Sequence, residues 1–558
     1  MTPINPALSP SSHMWMRIAK RALAPLLVIV ILASVSYREN ERHPFDFWSM
    51  NEDYANLCLA HGLNIDFWLS NPSFLNGRKL TDLNTLHPGL LLQASSWAGY
   101  RLSCIGKASD ARTRCEDTLR NPSAFWLAIR CIAVFIGLAC SALYAKAAWR
   151  YGFSYSLAVG LFYFGYDPAW DYSTRLLGNE TFALPLGFAA AWAASRSLFS
   201  SDNHFSIKWW AAWGAICALC WLNKLNYIAW TVAALPAGAA YYVLRRPSVR
   251  EMGLRIFVFA VSFIGVAFSL TTLWLGKGAL GHIVRLHFAV LTHSGVYGAG
   301  SKQVVSFDAI QNALHSLAAS WHFLVLAAAV CLLAVWVLFS LARNGKAAAN
   351  NTALIIYLLC AAGLFWAATL KHYGPHYLVA GVPAVSFLML AIGGHIGSKM
   401  RLLMSVAVAL VLIHSYRRHA VIAELRYLRV AETKASLRKI EDLPGMPGDG
   451  TLWSYRLPDR RFGLDYTQDL SGVAEVATII DEKFPSKCLV YYPWAGIVRP
   501  KSELVPFEME NWRYAIFDRD NYDYFVVSHQ SKDREFFEKH CKRIIVDPTI
   551  FVFERIGR

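Results

Sequence analysis

Hydrophobic positions dominate the chain in long runs, and the polar positions gather in the turns between them. The first run covers roughly residues 19–37, and a long polar stretch follows over 38–123. Ten more runs lie at approximately 124–146, 152–166, 180–199, 209–225, 227–243, 254–275, 322–343, 352–370, 376–394 and 401–415. Runs of about 17–25 apolar residues are what a helix needs to cross a bilayer. The pattern therefore predicts about 11 crossings in a polytopic α-helical membrane domain over 19–415, after a polar tail at 1–18.

The polar stretch contains one moderately apolar segment, Leu86–Ile105, which opens on His87-Pro88-Gly89 and is broken by Gln93, Ser95, Ser96 and Arg101. An interfacial helix is the better expectation, because charge then alternates sensibly. Lys146/Arg150, Lys208, Arg245/Arg246/Arg250, Arg343/Lys346 and Lys399/Arg401 all fall on the N-terminal, cytoplasmic side, as the positive-inside rule asks. Counting 86–105 as a span would invert every later loop. With an odd number of crossings, residues 416–558 are expected outside, in a periplasmic or other extracytoplasmic position. Short apolar stretches at Cys488–Tyr492, Tyr524–Ser528, Arg543–Val546 and Ile550–Glu554 predict strands. Val473–Lys483 and Asp533–His540 predict helices, so this part reads as a small α/β domain.

Composition agrees. Of 558 residues, 55% are hydrophobic and only 16% charged, which excludes an ordinary soluble domain. Twenty Trp and 25 Tyr suit rings placed at lipid–water boundaries. The +16 formal charge fits loop anchors and an affinity for anionic lipid or phosphate, with no call for nucleic acid. Arg17, Lys20 and Arg21 precede the first run like a signal peptide, but no small-residue cleavage site follows, so a retained helix is expected. Six of the 11 cysteines lie in the runs. The others, Cys58, Cys104, Cys115, Cys488 and Cys541, fall in stretches expected outside; Cys104–Cys115 and Cys488–Cys541 disulfides, or unrelated free thiols, both fit.

The turns expected outside hold the candidate chemistry. Just after the first run come Glu52 and Asp53, with Tyr54, Leu57 and Leu59 spaced for a helix along a membrane surface. Carboxylates there fit acid–base work, or the ordinary preference of acids for a helix N-terminus. The turn at 167–180 carries Asp167, Asp171, Arg175 and Glu180; Lys224 ends a run where the positive-inside rule would not put it. The 276–321 loop adds Lys277, His282, Arg285, His287, His293 and Lys302, and Lys371-His372 leads into His376-Tyr377. Each cation alone fits a snorkelling anchor. Together, cations facing carboxylates suit a site that holds a phosphate and moves a proton.

These stretches resemble, in order, the motifs of GT-C membrane glycosyltransferases, in particular the branch of lipid A aminoarabinose transferases and protein O-mannosyltransferases. The likeness rests on Asn51-Glu52-Asp53-Tyr54-Ala55, His87-Pro88-Gly89-Leu90, Arg175 to Glu180, Asn223-Lys224, His376-Tyr377-Leu378 with Pro383, and Tyr466-Thr467-Gln468-Asp469-Leu470. Three departures stand out: Tyr54 follows the acids directly, Gly89 replaces a second proline, and four residues separate Arg175 from Glu180. The resemblance implies an enzyme of the bacterial inner membrane, N-terminus cytoplasmic. It would move a sugar, with inversion, from a polyprenyl-phosphate donor to a lipid (such as lipid A), polysaccharide or protein acceptor. Asp53 would be the base, with Glu52 orienting or substituting for it. Arg175, Lys224, Lys371 and His376, with Arg285 behind them, would hold the donor phosphate. His87, Asp171, Glu180 and Tyr54 complete the candidates. The acids can also recruit a divalent metal, although no full ligand set accompanies them. A lipid-linked oligosaccharide flippase or polymerase, and a transporter, are the competing classes.

Overall fold

The structure, a computed structural model, describes residues 10–42, 52–70, 89–107, 110–199, 203–292, 307–343, 348–371, 375–441, 451–454, 474–483, 489–492, 496–498, 504–505, 512–519, 522–523, 531–546 and 549–556. Helices dominate to residue 441. They are α1 (Pro10–Arg42), α2 (Glu52–Ser70), α3 (Leu90–Ser103), α4 (Ala111–Arg120), α5 (Ser123–Ala148), α6 (Phe153–Leu161), α7 (Asp167–Thr174) and α8 (Ala183–Phe199). Next come α9 (Asn203–Asn223), α10 (Ala229–Val232), α11 (Ala234–Arg245), α12 (Val249–Leu275), α13 (Ala279–Thr292) and α14 (Phe307–Ala318). The series ends with α15 (Trp321–Ala342), α16 (Ala349–Lys371), α17 (Pro375–Val379), α18 (Val382–Ile392) and α19 (Ser398–Glu441).

Local chemistry sets the ends of these helices. Asp110 accepts the Thr113 N–H at 2.8 Å to start α4, and Ser248 accepts the Glu251 N–H at 3.1 Å to start α12. Arg246 closes α11 with a left-handed φ of 55°, immediately before Pro247. Gly276, at φ 90°, closes α12.

Among the described residues, eight helical segments are long and apolar enough to cross a membrane. Residues 153–165 and 376–392 form shorter apolar helices, and α9 is helical over 21 residues. This is the fold of a multi-pass membrane protein. Phe257, Val261, Ile264 and Phe268 stand exposed on α12, a surface that suits lipid. Helix α3 has 14 residues, about 21 Å at 1.5 Å per residue, short of a hydrocarbon core.

Three expectations change, and one open pairing is decided. Residues 57–67 of α2 are buried on every side, so α2 is a core helix where a surface-lying one was expected. The stretch 276–321, expected as a loop, contains α13 and α14. The last apolar run does not stop at 415. With no Gly or Pro between 398 and 441, α19 continues unbroken through the charged sequence beyond it. Cys104 and Cys115 are buried free thiols and not a disulfide; Cys115 is packed inside α4 with no exposed surface. Cys541 is likewise free, and Cys488 lies outside the described residues.

The chain forms two compact units. One comprises 1–38, 85–91 and 133–419. Its buried polar side chains bond inside it: Tyr155 Oη donates to the Met389 carbonyl at 2.7 Å, Trp213 Nε1 to Tyr357 Oη at 3.1 Å, and Trp170 Nε1 to Ser415 Oγ at 3.2 Å.

The other unit comprises 39–84, 92–132 and 420–558. Its sheet has seven strands, β1 (Thr451–Ser454), β2 (Leu489–Tyr492), β3 (Gly496–Val498), β4 (Leu504–Val505), β5 (Tyr514–Asp518), β6 (Cys541–Val546) and β7 (Ile550–Arg555), in the order β4-β3-β2-β1-β5-β7-β6. The central β1 runs parallel to β2 and β5, and the other pairs are antiparallel. Helices α20 (Ala474–Lys483) and α21 (Ser531–His540) accompany it. Phe517 of β5, Phe551 and Phe553 of β7, Phe537 of α21, and Trp512 and Tyr522 flanking β5 form an aromatic core. Three of the expected strands correspond to β2, β6 and β7; β1, β3, β4 and β5 are additions, and 524–528 falls outside the described residues. Arg112 and Lys483 of this unit reach Glu482 and Glu116, which ties α4 to α20.

Candidate functional site

Three stretches far apart in sequence meet at helix ends of the first unit. Helix α7 packs against α17, and both pack against the 3-10 turn Asn179–Phe182. The turn is held from within: Thr181 Oγ1 accepts the Gly178 N–H at 3.0 Å and donates to the Leu176 carbonyl at 3.0 Å. Its neighbours hold it from outside. Asn223 Nδ2 and Tyr227 Oη both donate to the Asn179 carbonyl, at 2.9 and 3.1 Å.

At the centre of this assembly the Lys224 ammonium is paired with the Glu180 carboxylate, and both side chains are almost wholly buried. The ring of Tyr377 covers the ammonium, with its centroid 4.7 Å from Nζ. His376 lies against Tyr377, ring centroids 4.2 Å apart, and Asn226 Nδ2 donates to the Tyr377 carbonyl at 3.3 Å. An ammonium has three protons to give. Among the described residues Glu180 takes one and the Tyr377 face attracts another, which leaves Lys224 with donor capacity.

A second group lies along α7. Arg175 is buried with its guanidinium 3.6 Å from Asp171, and His419 Nδ1 is 4.0 Å from the same carboxylate. Asp167, at the start of the helix, faces Arg418 at 3.2 Å, Ser320 Oγ at 3.2 Å and His322 at 3.3 Å. His322 and His414 meet ring to ring at 4.2 Å.

The structure thus gathers Glu180, Lys224 and His376, and sets Asp171 against Arg175. It does not bring in Arg285, which is exposed on α13 and donates to the Gly281 carbonyl of its own helix at 3.3 Å. Glu52, Asp53 and Tyr54 open α2, but their side chains, that of Lys371, and His87 altogether lie outside the described residues. Tyr377, His322, Arg418 and His419 join groups that spacing alone did not assemble. The Arg417-Arg418-His419 run just after the last apolar segment was the available signal. Among the described residues no group of three or more His, Cys, Asp or Glu is arranged to hold a metal ion.

In the other unit, Asp66 is the centre of a buried ionic group. Arg114 donates to it through Nε at 3.2 Å and Nη2 at 2.7 Å, and Arg101 Nη1 at 3.0 Å. These are charge-assisted bonds to one carboxylate, and they join α2, α3 and α4.

No protein-family model matches the sequence, and no curated protein matches it. Among solved structures the chain is similar to two crystal structures of ArnT from Cupriavidus metallidurans. With the form bound to undecaprenyl phosphate it shares 12% identity and a TM-score of 0.46, covering 95% of this chain and 98% of that one. With the apo state the values are 12% and 0.47, covering 95% and 97%.

Proposed function

We propose that the protein is a membrane glycosyltransferase that moves a sugar from a polyprenyl-phosphate donor to an acceptor, with inversion at the anomeric carbon. What supports this most is the convergence of the 175–180, 223–224 and 376–377 stretches on one buried ion pair, Glu180–Lys224, under the Tyr377 ring. These stretches are three of the six motifs on which the resemblance rests. Cations held at helix ends suit a lipid phosphate, which partitions to that depth.

In the reaction a carboxylate takes the proton of the acceptor hydroxyl, and the freed oxygen attacks the anomeric carbon. The bond from that carbon to the phosphate oxygen breaks, and the lipid phosphate leaves as an anion stabilised by cations. Asp53 is our candidate base, with Glu52 beside it. Lys224, Arg175, Lys371 and His376 are the candidates for holding phosphate.

The test uses purified protein in detergent with no ion gradient, supplied with undecaprenyl-phosphate-linked sugar and a panel of lipid A, glycan and peptide acceptors. Consumption of the donor supports a transferase over a flippase or gradient-driven transporter. Asp53→Asn is expected to abolish transfer without altering membrane insertion, and transfer at the wild-type rate would remove Asp53 from the reaction.

A further inference from the structure

Trp221 lies on the last turn of α9, three residues before Lys224. Its indole Nε1–H donates to Nδ1 of His287 on α13 at 2.7 Å, and the rings meet edge to face with centroids 5.3 Å apart. An indole N–H only donates, so the nitrogen that accepts from it carries no proton. The neutral imidazole of His287 therefore carries its single proton on Nε2. Burial acts in the same direction, pushing the imidazole down to about 4.

That Nε2–H is buried, in a residue only 7% exposed, and has no hydrogen-bond partner among the described residues. Buried donors are nearly always satisfied, so an unsatisfied one calls for a reason. The side chains packed around its partner Trp221 are apolar. Ile283, one turn earlier on the same face of α13, packs with Trp221, Leu275 and Ala279, while Trp274 and Leu280 are partly buried at the margin of this cluster.

We propose that His287 Nε2–H is a substrate-contacting hydrogen-bond donor for an uncharged oxygen, a hydroxyl or ester oxygen, of the lipid-linked sugar. A neutral donor with one proton in an apolar wall suits such an oxygen better than a phosphate, which draws on cations. Trp221 is the positioning residue. By occupying Nδ1 it fixes the tautomer, so that the free nitrogen always donates and never accepts. This inference rests on the donor chemistry proposed above and assigns one contact within it.

The experiment measures binding in detergent of undecaprenyl phosphate bearing aminoarabinose or mannose, and of undecaprenyl phosphate alone, to the wild-type chain, His287→Asn and His287→Gln. Asparagine keeps an acceptor near Nδ1 for Trp221 but has nothing at Nε2; glutamine places an amide N–H near Nε2. The expected result for His287→Asn is binding of a sugar-bearing lipid weakened about 3-fold to 10-fold, the scale of one hydrogen bond, with undecaprenyl phosphate alone unaffected. His287→Gln should recover part of the loss. Unchanged binding of the sugar-bearing lipids by His287→Asn, or an equal loss for all the lipids, would overturn the assignment. Failure of the wild-type chain to bind any of the lipids would instead remove the donor reading and this contact with it.

Discussion

The ammonium of Lys224 is buried against the carboxylate of Glu180, and neither side chain exposes more than 5% of its surface. Such a pair is costly to split, because the survivor keeps its charge without its counter-charge, whereas removing both charges together is far milder. Glu180→Gln alone is expected to lower stability by about 3–5 kcal/mol, read as a fall in thermal midpoint in detergent. The double variant Glu180→Gln/Lys224→Met should recover a large part of it. Equal losses in single and double variants would show that packing, not charge, sets the cost.

Tyr377 supplies a ring face to the same ammonium at 4.7 Å. A desolvated contact of this kind contributes roughly 1–2 kcal/mol. Tyr377→Phe keeps the face and should retain a higher thermal midpoint than Tyr377→Leu, which loses it. Matching midpoints for the two variants would remove the cation–ring contact as a contributor.

The Asp66 group separates buried from exposed charge on one carboxylate. The Arg114 side chain is 5% exposed and that of Arg101 is 48% exposed. Asp66→Asn leaves Arg114 buried without its counter-charge and should cost about 3–5 kcal/mol. Arg101→Gln should cost under about 1 kcal/mol, since solvent screens that arm. Chemical or thermal unfolding of the two variants decides it, and a cost for Arg101→Gln as large as that for Asp66→Asn would contradict the burial argument.

The sequence carried the membrane pattern because long apolar runs and their charged borders are local signals. Helices α5, α12, α15 and α16 lie close to the runs that announced them. Lys224 was visible as a cation on the wrong side of the charge rule, but Glu180 as its partner was not. That pairing joins residues 44 positions apart and depends on how the Asn179–Phe182 turn is held by Asn223 and Tyr227. His287 was read as one more basic residue of a loop. Its acceptor role follows from Trp221, 66 positions away, and no local spacing encodes that. Helix α2 was misread for a related reason. Leu57 and Leu59 suggested one apolar face, yet His61, Asn64 and Asp66 are buried as well, and Asp66 is accommodated through Arg101 and Arg114.

His61 and His287 make the fold acid-sensitive. Burial pushes His61 down to about 3 and His287 to about 4, whereas an unfolded histidine titrates near 6.5. Between these values the unfolded chain binds more protons than the folded one, so stability rises with pH there and is lost as pH falls below about 6.5. The thermal midpoint in detergent is expected to drop between pH 7 and pH 5, and His61→Gln should flatten that dependence. An equally steep profile in the variant would exclude His61 as a source.

Helix α9 packs along α12 closely enough that Gly214 leaves no room for a methyl group. A Cβ there would fall on the carbonyl oxygen of Phe259, which is backbone and cannot rotate away. Small residues serve this purpose where membrane helices approach closely. Gly214→Ala should therefore push the two helices apart and cost about 1–3 kcal/mol, the usual scale of overpacking. The shift would displace Trp221 and Lys224, which α9 and its C-terminal end carry. Gly265, on α12, has open space around it, and Gly265→Ala should be neutral or gain up to about 1 kcal/mol in helix propensity. Thermal midpoints and the yield of folded protein in detergent compare the two. A Gly214→Ala chain as stable as Gly265→Ala would mean that the α9–α12 approach is looser than this geometry.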